Sequence, residues 1–333
     1  MQLEEQQFKK WLRRPTELIA SAWFLLASAG SFIVPCIVSL IDQALDFFGE
    51  PMHIFTLIYT NSTIQQLFLF LLPVVIYTLK HDGVEQSMRL KLPRWEALPA
   101  VLIAPIGVMA CDKLSTWWLM LIETLGGNIS PPSFPGSDTL PELAIALILS
   151  ALIPAICEET LFRGGLMGAW ERRGTKQALV ITSVLFALLH GDVQGLPVQL
   201  MMGFVLGYIV LLSDSLFVGM AYHFAHNATI LILDYYRGMD LILDDRFMTL
   251  TREVLGTIGL GGLLIQTVIW TALFAGLMVL FVRLMKKKGA QIDKITEGDK
   301  EPMSWETLLV LLAGLLTIIV RFSSSLSAVC GLG

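Results

Sequence analysis

Hydrophobic residues occur along this chain in long uninterrupted runs. The stretches 18–41 and 54–79 contain no charged side chain. Each is longer than the roughly 20 residues that an α-helix needs to cross the hydrocarbon core of a bilayer. Lipid cannot satisfy backbone polar groups, and the chain shows no barrel-like alternation of polar and apolar residues. The pattern therefore predicts membrane-spanning helices.

Hydropathy along the whole chain predicts an all-α, polytopic bundle of about eight or nine transmembrane helices. The segment 1–15 is basic and amphipathic and leads straight into the first apolar run. That run continues past the cleavage-like triplet 27–29, so we interpret it as an uncleaved span and not as a signal peptide. The predicted spans are 18–41, 54–79, 97–124, 143–169, 177–191, 195–212, 216–235, 257–284 and 305–321.

Composition agrees with this class. Of the 333 residues, 55% are hydrophobic and 15% are charged, whereas soluble domains usually carry about a quarter charged residues. The net charge of −5 gives no indication of nucleic-acid binding. We expect a lipid bilayer and a membrane-associated peptide or protein as partners. The four cysteines are scattered without a CxxC pair, so we expect no disulfide framework.

Basic residues flank the spans mostly on alternate sides, which by the positive-inside rule predicts a cytoplasmic N-terminus. Nine spans would place the C-terminus outside. The linker 126–141 is rich in Gly, Pro and Ser and is predicted to be an external loop. Short loops and the lack of an organelle signal favour a bacterial plasma membrane. The basic flanks are Lys9, Lys10, Arg13, Arg14, then Lys80, Arg89, Lys91, Arg94, then Arg172, Arg173, Lys176, and then Lys286, Lys287, Lys288.

Charged residues inside membrane spans are costly and indicate function by default. Here they concentrate around Glu158-Glu159 and Arg163. Arg163 lies four residues after Glu159, the spacing of a same-face ion pair, which would leave Glu158 to face a cavity as a general base. The alternative is that the cluster lies at the cytoplasmic interface, where long charged side chains reach water.

Histidines supply the other candidates. His190 ends the motif that begins at Phe186, and His223 and Asn227 share one helix face four residues apart. A lone histidine in an apolar segment is more often a structural hydrogen-bonding group, and His226 is interpreted as a helix-packing contact. Counted from the cytoplasmic ends of their helices, Glu158, His190 and Asn227 reach a depth of ~18–20 Å, and His223 reaches ~12 Å. We interpret these depths as similar, which favours one shared site.

The three motifs EExxxR, FxxxH and HxxxN, in this order, resemble those of the CPBP family. That family comprises the type II CAAX prenyl endopeptidases and the bacterial bacteriocin-processing or immunity proteins. The resemblance implies an intramembrane peptidase in which Glu158 and His190 activate water. His223 and Asn227 would form the oxyanion hole, with Glu159 and Arg163 in support. It leaves the cofactor open between none and one zinc ion held by Glu158, His190 and His223.

The resemblance also divides the chain into N-terminal transmembrane helices (1–142), a protease-like catalytic core (143–235) and C-terminal transmembrane helices (236–333). Two other functions remain open. Buried Glu, His and Arg also build the proton relays of ion-coupled transporters, and the chain can be a non-catalytic immunity or binding protein. A CAAX-type tail and a leader or bacteriocin precursor are both open as substrates.

Overall fold

A computed structural model describes residues 15–47, 49, 54–81, 88–129, 139–237, 256–288 and 303–331. Within these residues the chain forms nine helices and no strand, which confirms the predicted all-α polytopic bundle. The amphipathic start of the chain, the middle of the 126–141 linker and most of the loop before residue 256 lie outside the described residues.

The nine helices follow the predicted spans closely. Helix α2 is continuous through Ile54–Ile64, Gln65–Leu71 and Leu72–Lys80, and α4 is continuous from Leu140 to Trp170 before a short 3₁₀ turn, Glu171–Arg173. The other helices are α1 (Glu17–Phe47), α3 (Pro99–Thr124), α5 (Thr175–Leu189), α6 (Leu196–Ser213), α7 (Leu216–Arg237), α8 (Gly259–Lys287) and α9 (Trp305–Val329).

Eight of the described helices are long and apolar enough to cross a membrane, so the chain is a multi-pass integral membrane protein. Helix α5 is the exception. Its 15 residues extend only ~22 Å. His190 immediately follows its last residue, so this histidine lies at a helix end within the bundle and not on a continuous span.

Helices α2 and α4 contain wide π-helical turns, which the hydropathy pattern does not predict. Those at Gln65–Leu71 and Leu147–Leu152 are each followed by an α-helical segment with a proline near its start, Pro73 and Pro154. Proline has no N–H to donate to the preceding turn, so the helix widens there. A further π-helical segment, Thr160–Leu166, follows the two glutamates. Such turns change which residues share a helix face.

Helix α4 lies at the centre of the bundle and packs against α1, α2, α5 and α7. Helix α3 packs against α7 and α8, while α9 packs along α1. Glu158, Glu159 and Arg163 of α4 therefore lie among other helices and not against lipid. The predicted division of the chain at 142 and 235 stays a prediction, as does the predicted side of the membrane for the N-terminus.

Candidate active site

Glu158 lies at the contact of α4 with α2 and α7. It retains only 8% exposure. Its Oε1 accepts a hydrogen bond of 2.7 Å from Nε2 of Gln66 on α2. Its Oε2 lies 4.0 Å from Nε2 of His223 on α7. That gap is too long for a direct hydrogen bond, and it is short enough for one water molecule or one substrate oxygen to contact both groups.

Glu159 and Arg163 form the ion pair that the sequence predicts. The two side chains are 0% and 1% exposed, and Arg163 Nη1 donates to Glu159 Oε1 over 2.8 Å. The same Oε1 accepts a second hydrogen bond, from Nδ1 of His223 at 2.9 Å. Glu159 thus links α4 to α7 and orients the imidazole of His223. The interfacial alternative does not fit, because this cluster is buried among helices.

Arg163 has two further contacts, which account for its burial. Its Nη2 donates to the carbonyl oxygen of Gly203 on α6 over 3.0 Å. Its guanidinium carbon lies 4.5 Å from the ring centre of Phe186, a cation–π distance. Burial removes the guanidinium of Arg163 from water. The carboxylate, the carbonyl oxygen and the aromatic face compensate for this loss of hydration.

The charges of this cluster can cancel. Glu158 and Glu159 contribute two negative charges and Arg163 one positive charge, so protonation of His223 makes the group neutral. In that state His223 donates through Nδ1 to Glu159 and presents a second N–H, on Nε2, toward Glu158. A neutral group costs less in a membrane interior than one with an uncompensated charge.

His190 lies beside this cluster, one aromatic ring away. The Phe186 ring centre is 4.9 Å from that of His190 and 6.1 Å from that of His223. Nδ1 of His190 bonds the carbonyl oxygen of Phe186 at 2.8 Å. A carbonyl oxygen only accepts, so Nδ1 carries the proton, and Nε2 is the accepting nitrogen of the neutral ring. The FxxxH spacing thus fixes the tautomer through one helical turn.

Asn227 and His226 differ in surroundings from His223. The Asn227 amide donates to the carbonyl oxygen of Ser150 on α4, at 3.4 Å. Asn227 is half-buried one turn beyond His223 on α7. His226 is buried and stacks on Tyr222, with ring centres 6.5 Å apart. This contact lies within α7 itself, so the helix-packing role of His226 stays a prediction.

The predicted zinc ligands do not form a metal site in this arrangement. Among the described residues, no group of three or more His, Cys, Asp or Glu side chains could hold a metal ion.

Two polar residues at the site were not predicted from the sequence. Gln66 contacts Glu158 from α2. Arg321 of α9 donates to the carbonyl oxygens of Leu189 and His190, at 2.9 and 3.1 Å. The sequence does show Gln66 and Arg321 as polar side chains next to apolar residues. Their partners are 92 and about 130 residues away in sequence, so no local pattern connects them.

Comparison with known proteins adds independent support. Residues 140–229 match the family model described as "Type II CAAX prenyl endopeptidase Rce1-like". The predicted resemblance is confirmed. This Rce1-like segment contains all six predicted site residues, Glu158, Glu159, Arg163, His190, His223 and Asn227.

A curated relative, the Bacillus subtilis (strain 168) protein named "Putative membrane peptidase YdiL", is 27% identical to this chain over 97 residues. That alignment covers 29% of this chain and 40% of the relative. No solved structure gave a significant match. The Rce1-like segment covers α4 to α6 and α7 up to residue 229, and Gln66 and Arg321 lie outside it.

Proposed function

We propose that this protein is an intramembrane endopeptidase that hydrolyses a peptide bond in a membrane-associated peptide or protein. The observation that carries the proposal is the 4.0 Å gap between Glu158 Oε2 and His223 Nε2, which lies inside a membrane bundle. A carboxylate and an oriented imidazole on either side of such a gap are what water activation and oxyanion binding require. The Rce1-like match and the name of the curated relative support the same class.

In the proposed reaction Glu158 is the general base. A water molecule bound by Glu158 and by the accepting Nε2 of His190 attacks the carbonyl carbon of the substrate. Its proton passes to Glu158. When the tetrahedral intermediate collapses, the C–N bond breaks and Glu158 returns the proton to the leaving nitrogen. The products are a carboxylic acid and an amine, and Glu158 is regenerated as a carboxylate.

His223 and Asn227 are the proposed donors to the oxyanion. Preplaced donors stabilise the negative charge that develops on the substrate oxygen. The Nε2–H of protonated His223 points to the Glu158 side of the site, and Glu159 holds the ring in that orientation. Asn227 lies one turn after His223 on α7, and its amide donates to the carbonyl oxygen of Ser150. It reaches the oxyanion only if this amide rotates away from Ser150. Arg163 supports the geometry by neutralising Glu159.

The substrate is proposed from the setting of the site. Glu158 and His223 lie within candidate membrane-spanning helices, and His190 lies at the end of a shorter helix beside them. We therefore expect the scissile bond to reach the site from the bilayer. The family description names CAAX prenyl endopeptidases, which makes a prenylated C-terminal tail one substrate class to test. A leader or bacteriocin-type precursor is the other. We further propose a bacterial plasma membrane location with a cytoplasmic N-terminus, and no required cofactor.

The test is a comparison of membrane peptidomes from cells that express the wild-type protein, Glu158→Ala or Glu142→Gln. Glu142 lies on the same helix but far from the site. It is part of an N-terminal capping box with Thr139, which glutamine can preserve. We expect the same cleavage products in the strains that express the wild-type protein and Glu142→Gln. These products should be absent from the strain that expresses Glu158→Ala. Equal product sets in all three strains would refute the peptidase assignment.

A further inference from the structure

Gln66 is the polar residue of α2 that reaches the proposed general base. It is 7% exposed and lies in the π-helical turn Gln65–Leu71, which packs against α4. Its contact with Glu158 joins side chains 92 residues apart in sequence. Gln66 also lies well before the Rce1-like segment, which begins at residue 140.

The direction of this hydrogen bond shows what Gln66 contributes. Its Nε2 donates to Glu158 Oε1 over 2.7 Å, within the range of a donor to an ionised acceptor. A bond in this direction suits a carboxylate. It fixes Oε1 and leaves Oε2, the oxygen nearest to His223, to act on water. The amide oxygen of Gln66 has no hydrogen-bond partner among the described residues, so the nitrogen makes the only polar contact found for this side chain.

We propose that Gln66 is a positioning residue of the active site. It holds Glu158 in the rotamer that presents Oε2 to the bound water. The inference rests on the proposed peptidase function and extends it to a helix that the family match does not include. Without Gln66, Glu158 keeps its chemistry but loses the side-chain contact that fixes its orientation.

The chain provides a matched control in the preceding residue. Gln65 has the same side chain, belongs to the same π-helical turn and is half-buried. Its Nε2 donates to Asn61 Oδ1 at 2.8 Å, within α2 itself. Replacement of Gln65 therefore removes one amide hydrogen bond from the same turn without a contact to Glu158.

The first experiment compares Gln66→Met and Gln65→Met in proteoliposomes. The substrate is a peptide whose cleavage in the membrane peptidome depends on Glu158. It is synthesised with a fluorophore and a quencher on either side of the cleavage site. We expect kcat of Gln66→Met to fall about 10- to 100-fold, the effect of a misaligned general base, while KM stays within about twofold. Gln65→Met should keep the wild-type kcat. Equal kcat values for the two variants would overturn the inference.

A second variant gives a signature that a purely structural role would not produce. In Gln66→Glu a carboxyl group replaces the amide at almost the same size, and it can donate to Glu158 only while it is protonated. The other titratable groups around Glu158 are unchanged in this variant; they are Cys157, Glu159, Arg163, His190 and His223. We therefore expect the activity of Gln66→Glu, relative to wild type, to decrease as pH rises. A pH profile parallel to that of wild type would count against the positioning role.

A third measurement requires no substrate. Thermal unfolding of Gln66→Met, Glu158→Ala and the double variant in detergent forms a double-mutant cycle. Contact between the side chains predicts non-additive shifts in melting temperature, and additive shifts would contradict it. The failures are distinguishable. Loss of Glu158 dependence in the peptidome refutes the peptidase, whereas retained Glu158 dependence with unaltered kcat in Gln66→Met refutes only the role of Gln66.

Discussion

The candidate site has two halves that are held in different ways. In the first half, Glu158, Glu159, Arg163, His223 and Gln66 bond mainly to one another through side chains from α2, α4 and α7. In the second half, His190 lies at the end of α5, and its neighbourhood is held through the main chain. Arg321 contacts two carbonyl oxygens at this helix end.

The turn after His190 continues this main-chain pattern. Ser325 of α9 accepts a hydrogen bond from the backbone N–H of Val193, and Trp118 of α3 donates to the carbonyl oxygen of Val193. The first half thus depends on the ionic state of particular side chains. The second depends on several independent contacts that fix the path of the backbone. Single substitutions should therefore be more damaging in the first half.

The largest effect is expected from Glu158→Gln, which keeps the size of the side chain and removes the proposed base. Loss of a general base costs about 10²- to 10⁴-fold in rate. We expect kcat on the fluorogenic peptide to fall by about that factor while the melting temperature changes little. A variant with more than a tenth of wild-type kcat would show that Glu158 is not the base.

The next effect concerns stability within the same half. Arg163→Met leaves Glu159 buried without its cation, a type of change that costs about 3–5 kcal/mol. We expect a large drop in melting temperature, measured in detergent, and a loss of folded yield. The double variant Arg163→Met/Glu159→Gln should recover part of the stability, because no unpaired charge remains. If the double variant is less stable than Arg163→Met, the ion-pair explanation is wrong.

A smaller effect is expected in the second half from Arg321→Met. The substitution removes two hydrogen bonds to the backbone at His190 but leaves the bonds made by Ser325 and Trp118. We expect kcat to fall about tenfold, with Glu158-dependent cleavage still detectable. Arg283→Met, an exposed arginine of α8, is the matched control and should behave as wild type. A loss in Arg321→Met as deep as that in Glu158→Gln would remove the distinction between the halves.

The smallest effect is expected from metal removal. Because the side chains of Glu158, His190 and His223 do not form a three-ligand set, incubation with 1,10-phenanthroline should leave the cleavage rate unchanged within about twofold. The rate is measured before and after addition of zinc, with a zinc peptidase as a positive control for chelation. Inactivation by the chelator and recovery with zinc would assign a metal role to the site.

The sequence predicted the larger part of the fold, because span length and hydropathy report directly on the cost of burying polar groups in lipid. It also predicted the Glu159–Arg163 pair, which lies within one turn of a helix. It did not predict that His223 bonds to Glu159, since that contact depends on how α4 and α7 pack. The π-helical turns of α2 and α4 likewise depend on local backbone geometry that hydropathy does not report.

Gln66 and Arg321 show a second reason why part of the site was not predicted. Each was visible as a polar residue in an apolar run, but its role depends on a partner far away in sequence. Local motifs identify residues that act through their own helix. Residues that position others across the bundle become apparent only in three dimensions.

The contact between Arg321 and the end of α5 has a consequence for engineering. A graft of residues 140–229 onto another membrane scaffold would transfer every motif residue, but not the guanidinium that holds the backbone at His190. We expect a working transplant to include α9, with Arg321 and Ser325, α3, with Trp118, and α2, with Gln66. The set of helices that contact the candidate site is therefore larger than the segment 140–229 that the family model matches.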